Sequence, residues 1–92
     1  MTEKVLELFK LDLGISSSKR DDYFRAVIES SKSQLEEKGI SLNSEEIADV
    51  MLVCDFASWN YRHRTTGESI PRNLALRIRN RVMKKRAGDS NG

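Results

Sequence analysis

The chain holds one cysteine, one histidine and one proline in 92 residues. A lone cysteine, Cys54, excludes an internal disulfide, and with His63 as the only histidine no zinc ligand cluster assembles within one chain. Aromatic residues are sparse at 7% and charged residues dense at 33%, a balance more polar than that of an average compact domain. No stretch approaches the ~20 apolar residues of a membrane span. The opening MTEKVLELFK mixes acids among its apolar residues and has no small-residue cleavage site, so it does not read as a signal peptide. The expectation is a soluble protein made in the cytoplasm, without membrane contact.

Other absences narrow the chemistry. There is no Gly-rich phosphate loop, nucleophile elbow or metal motif. His63 stands between Arg62 and Arg64 with no carboxylate orienter or nucleophile beside it in sequence, and Cys54 sits on an apolar helical face as a small hydrophobe. The acid pairs Asp21–Asp22, Glu36–Glu37 and Glu45–Glu46 are neighbours in sequence, which on a helix point ~100° apart and form no acid–base dyad. Neither an enzyme nor a cofactor is expected.

The chain also lacks alternating β-branched runs, internal repeats and any linker. What remains is helical periodicity. Thr2 can cap a first helix carrying Val5, Leu6, Phe9 and Leu13 and ended by Gly14; Ser16–Ser18 then form a loop before a second helix with Asp21 and Asp22 in its first turn. Phe24, Val27, Ile28, Ser31 and Leu35 make its buried stripe, and Gly39 stops it. A third helix follows, with Asn43 or Ser44 as cap and Glu45 and Glu46 in the first turn. Ile47, Val50, Met51, Cys54, Ala57 and Tyr61 form its main face, while Leu52, Phe56 and Trp59 point the other way. A helix apolar on nearly all sides is buried on nearly all sides, which makes this one the centre of a small bundle.

The chain's one proline, Pro71, starts a fourth helix at its first position, with Leu74, Ala75, Ile78 and Val82 facing the core. The predicted fold is all-α, about four helices in one domain over residues 1–88, with a frayed polar tail at 89–92. The predicted core is centred on Phe24, Ile28, Ile47, Val50, Met51, Cys54, Tyr61, Leu74 and Ile78.

Charge is divided along the chain. Residues 1–58 carry seven Lys or Arg against twelve Asp or Glu, and residues 59–92 carry nine against two. Most of the excess lies in SIPRNLALRIRNRVMKKR, residues 69–86, with seven basic residues. On a helical wheel Arg77, Arg81 and Lys84 line one border of the apolar stripe, Arg72, Arg79 and Arg86 the other, and Lys85 ends the stripe itself. Such groups can be solvated flanks whose stems cover the core, contacts to an acidic partner, or phosphate ligands. Opposite the stripe, Leu76 and Met83 recur with Asn73 and Asn80 at the same interval and form a candidate partner surface. Trp59, Tyr61 and the following basic residues read either as core-and-rim residues or as an aromatic and basic nucleic-acid patch.

The order of features resembles a known family. LELFKLDLGI, RDDYFRAVIESSKSQLEEKGI, ADVMLVCDFASWNYRHR and IPRNLALRIRNR together, from Val5 to Arg86, resemble the small head-tail connector proteins of tailed bacteriophages, also called head-completion, adaptor or DNA-packaging proteins. The resemblance implies a non-enzymatic virion part at the head-tail junction, made in the bacterial host. It implies a ring of copies, commonly a dodecamer, seated below the portal. Such a ring extends the channel for passing double-stranded DNA without reading its sequence and receives the next connector or tail protein. Leu76, Met83, Asn73 and Asn80 are then candidates for the subunit interface, and Arg77, Arg81 and Lys84 for contact with an acidic neighbour or the channel. The competing reading is a small helical DNA-binding regulator that reads DNA with the basic fourth helix.

Overall fold

The computed structural model describes the backbone of residues 1–90 and the side chains of residues 1–84. Four helices account for the regular structure of these residues: α1 (Thr2–Leu13), α2 (Asp21–Glu37), α3 (Ile47–Arg62) and α4 (Arg72–Ser90). The fold is all-α. α1, α2 and α3 pack against one another, and α4 is applied to α3 from outside. The molecule measures 47 × 29 × 18 Å with a radius of gyration of 13.8 Å, against ~12 Å for a compact chain of this length.

Sequence dictates the first two helices directly. Val5, Leu6 and Phe9 of α1 are buried, and Gly14 takes a left-handed conformation (φ 71°) that lets its amide and that of Ile15 reach back to Leu11 and Lys10. A side chain bearing Cβ is disfavoured in this conformation, so glycine ends the helix at little cost. In α2 the stripe Phe24, Ile28, Ser31 and Leu35 is completely buried, and Val27 is half-buried. The rings of Phe9, Phe24 and Tyr61 meet at 5.2–5.7 Å and join all three helices, a tilted to edge-on arrangement that favours the ring quadrupoles.

The start of α3 differs from expectation. Asn43 does not cap it. Its side-chain oxygen accepts the Glu45 amide at 2.9 Å, and its carbonyl accepts the Glu46 amide, so residues 43–46 form a separate turn. Asparagine competes for backbone in this local way. The helix begins at Ile47, and Glu45 and Glu46 lie before it. Thr2 likewise is the first helical residue instead of the cap, and its hydroxyl donates to Glu29 of α2. Pro71 stands one position ahead of α4, where its carbonyl accepts the Ala75 amide.

α3 is the central helix, yet its buried arc is rotated from the expected one. Val50, Val53, Cys54 and Ala57 are buried on one side and Leu52 and Phe56 on another. Ile47 is 66% exposed and Met51 38% exposed, so neither belongs to the core assigned to them. Both lie in the first turns of α3, where Ile47 faces solvent and Met51 borders a groove against α4. Tyr61 is half-buried and packs against the core. α4 contributes Leu74 and Ile78 as fully packed residues, with Val82 half-buried. The helix continues through Gly88 to Ser90, where fraying was expected. The remainder of the expected tail, residues 91–92, lies outside the described residues, as do the side chains of Lys85 and Arg86.

Candidate functional site

α4 is held to α3 by two core residues and two ion pairs. Arg77 donates to Asp55 at 2.7 Å, and Arg81 donates to Asp49 and, at 3.2 Å, to the Ser41 carbonyl. The two pairs differ in setting. Arg77 and Asp55 are each about two-fifths exposed, whereas the Asp49 side chain is 5% exposed. Asp49 also accepts the Asn43 amide at 2.8 Å, so one carboxylate ties the turn before α3 to α4. Burial pushes this carboxyl up, but the hydrogen bonds from Arg81 and Asn43 and the charges of Arg81 and Lys84 outweigh burial and hold it below its ordinary value.

These contacts change the meaning of the basic helix. Arg77 and Arg81, candidates for an acidic neighbour or a channel, have their acidic partners within the same chain. Lys84 is exposed near Asp49. Arg72 and Arg79, on the other border, are exposed and have no carboxylate partner among the described residues. Among the described residues no single ridge of free cations results.

The expected outer strip does face outward. Leu76 is 41% exposed and Met83 51% exposed, with Asn73 and Asn80 exposed beside them. A groove of about 300 Å³ runs along one side of this ridge, lined by Ala48, Met51, Leu52, Arg77 and Asn80. Met83 borders a second groove on the opposite side, with Ile70, Ala75 and Val82. The structure thus adds Met51 to the apolar surface around α4 and places Ile47, four residues earlier, on an exposed turn of α3. Sequence reasoning placed both in the core, because an apolar residue on an apolar helix carries no mark of which side is open.

At the far end of α3, Trp59 stacks on His63 at 4.8 Å. His63 Nδ1 lies 3.1 Å from the Trp59 carbonyl and its Nε2 3.3 Å from Glu68, while Arg62 pairs with Asp12 at 2.8 Å. Cys54 is buried, and desolvation pushes its thiol up to about 11, which keeps it protonated and unreactive. Among the described residues no group of three or more His, Cys, Asp or Glu is placed to hold a metal ion, and no helix is long and apolar enough to cross a membrane. Neither a family model, nor a curated protein, nor a solved structure matches the chain.

Proposed function

We propose that this chain is an assembly subunit of the phage head-tail connector type, which forms a ring below the portal and joins head to tail without catalysing a reaction. The observation that carries the reading is the division of labour on α4. Its inner arginines, Arg77 and Arg81, are committed to α3, and its outer face presents Leu76 and Met83 to solvent. A helix built to grip DNA would leave its guanidinium groups free on one ridge. A helix built to meet protein leaves apolar residues uncovered.

The family pattern from Val5 to Arg86 and the unequal charge of the two parts of the chain support the same reading, since a heterologous contact between copies closes into a ring when the rotation permits. The portal, the next connector or tail protein and passing DNA are the partners this reading entails. Its place is the head-tail junction of the virion.

Native mass spectrometry and negative-stain microscopy of the purified chain, alone and with its portal, test the proposal. Rings, or a stoichiometric portal complex, are expected. A chain that remains monomeric and ignores the portal refutes it. The regulator reading predicts instead a tight, sequence-selective duplex complex whose affinity falls steeply with salt, and the ion pairs of Arg77 and Arg81 argue against it.

A further inference from the structure

The described side chains include eight arginines. Arg25, Arg62, Arg77 and Arg81 have carboxylate partners, and Arg72 and Arg79 stand in solvent. Arg20 and Arg64 are exposed too, but their guanidinium groups have aromatic partners. Both are held against one aromatic ring, that of Tyr61, with no carboxylate in ion-pair reach among the described residues. The Arg64 guanidinium carbon lies 4.1 Å from the ring centre and its Nη1 donates to the Tyr61 carbonyl. The Arg20 guanidinium carbon lies 5.6 Å from the same centre and 5.1 Å from that of Tyr23, and its Nη1 donates to the Tyr61 hydroxyl at 2.8 Å.

Two like charges held against one ring repel each other, and both side chains remain open to an incoming anion. Their positions are set before any ligand arrives, which lowers the ordering cost of binding an anion. Beside Arg64, between α2 and α3, opens a cavity of about 300 Å³ lined by Tyr23, Ser30, Gln34, Asn60, Tyr61 and Arg64; Arg20 reaches it only through its bond to the Tyr61 hydroxyl. No carboxylate lines it. The other basic concavities differ: one contains Glu46 and Asp49, another Glu37, and the Met51 groove has both its arginines paired with α3 carboxylates, which leaves Lys84 as its one cation without an ion pair among the described residues. The cavity floor is fixed, since buried Ser31 donates to the Val27 carbonyl at 2.8 Å and accepts from Asn60 Nδ2 at 2.9 Å.

We propose that this cavity binds an unpaired nucleotide, with the phosphate on Arg64, the charge of Arg20 at the Tyr61 hydroxyl adding to the attraction from outside the cavity, the base edge on Gln34 and Asn60, and the base against the Tyr23 ring. A volume of about 300 Å³ is at the lower end of small-ligand sites, ~300–1,000 Å³, and a concave site of that size admits one nucleotide and no duplex. Amide side chains offer donors and acceptors together, which matches the mixed edge of a base, and Tyr23, 43% exposed, offers an aromatic surface to it. An acidic peptide would use the guanidinium groups and leave the amides and the ring without a role. The site lies at the opposite end of α3 from Asp49, and the inference does not depend on ring assembly.

The test titrates the whole chain with thymidine monophosphate, a labelled oligothymidylate of about ten nucleotides, a duplex of the same length and an oligoglutamate peptide, followed by anisotropy or calorimetry. The single strand is expected to bind, and R20Q/R64Q to weaken it by about tenfold or more. R72Q/R79Q, which removes the same charge from α4, is expected to change it by less than about twofold. Equal weakening by both double variants, tighter binding of duplex or oligoglutamate than of single strand, or no binding of any nucleotide probe overturns the proposal. A readout on the unmodified chain guards against misfolded variants: thymidine monophosphate or the single strand should shift the side-chain amide signals of Gln34 and Asn60. Shifts with the free nucleotide identify it as a sufficient ligand, shifts with the strand alone identify the strand as the source, and unmoved signals overturn the assignment.

Discussion

Replacing Arg81 with methionine measures what holds α4 in place. Asp49, 4% exposed, accepts from Arg81 and from the Asn43 amide. Methionine preserves an apolar stem and removes the charge, which leaves a buried carboxylate with one amide donor. Breaking a fully buried pair in this way costs ~3–5 kcal/mol. The Arg81 side chain is 30% exposed, so water replaces part of the lost interaction, and ~2–3 kcal/mol is expected. For a domain of this size that lowers Tm by about 10–20 °C.

Urea and thermal denaturation followed by circular dichroism read the change directly, and D49L/R81M sharpens it. The double variant leaves no buried charge behind and should be more stable than R81M alone. Acid titration adds a signed test. Because the folded-state pKa of Asp49 lies below its ordinary value, its contribution is present above about pH 4 and is lost as pH falls through the folded pKa. In R81M the main lowering cause is gone while burial remains, so the stability lost on acidification should shrink. An R81M protein within about 0.5 kcal/mol of the parent, with an unchanged acid slope, would refute the account.

Three further outcomes are expected. Arg77→Met, which breaks the half-exposed pair with Asp55, should cost less than ~1 kcal/mol in the same denaturation assay. Ile47→Glu and the pair Leu76→Asp and Met83→Asp should alter stability by less than ~0.5 kcal/mol each, because the side chains are exposed, while the α4 pair should abolish rings or portal binding in native mass spectrometry. Cys54, buried with its thiol raised to about 11, should react with an aromatic disulfide reagent only slowly at neutral pH in the folded chain and rapidly in urea.

The parts of the fold that sequence revealed are those where one helical face is apolar and the others are not. α2 is the clear case: Phe24, Ile28, Ser31 and Leu35 are its buried stripe, and the aspartates at its start and Gly39 beyond its end mark its limits. α3 has apolar residues on every side, so periodicity established its central place but not its rotation. Periodicity alone therefore assigns Ile47 and Met51 to the core and omits Val53, which is completely buried. The outward turn of Leu76 and Met83 was legible because α4 has a polar background against which the core stripe of Leu74 and Ile78 stands out.

Ion pairing was less accessible. Asp49 and Asp55 are the two carboxylates of α3, and Arg77 and Arg81 share one border of α4. An antiparallel alignment of the two helices matches Asp55 with Arg77 and Asp49 with Arg81, which is the signal that could have located the attachment. Counting charge along the chain could not, since it treats an arginine satisfied by its own fold and one free for a ligand alike. The Arg20–Tyr61–Arg64 cluster brings together residues from the α1–α2 connection and the end of α3, a meeting that only tertiary packing creates.

The one-sided attachment of α4 has a kinetic meaning as well. The helix can detach by releasing Leu74, Ile78, the half-buried Val82, two ion pairs and the Arg81 bond to the Ser41 carbonyl, while the Phe9–Phe24–Tyr61 junction of the other three helices stays closed. Amide hydrogens of α4 should therefore exchange through a smaller opening than those of α2 and α3. A partner that takes hold of the outer ridge acts on the most easily displaced helix of the molecule, and it can turn or lift that helix for a fraction of the free energy that unfolding the whole would require.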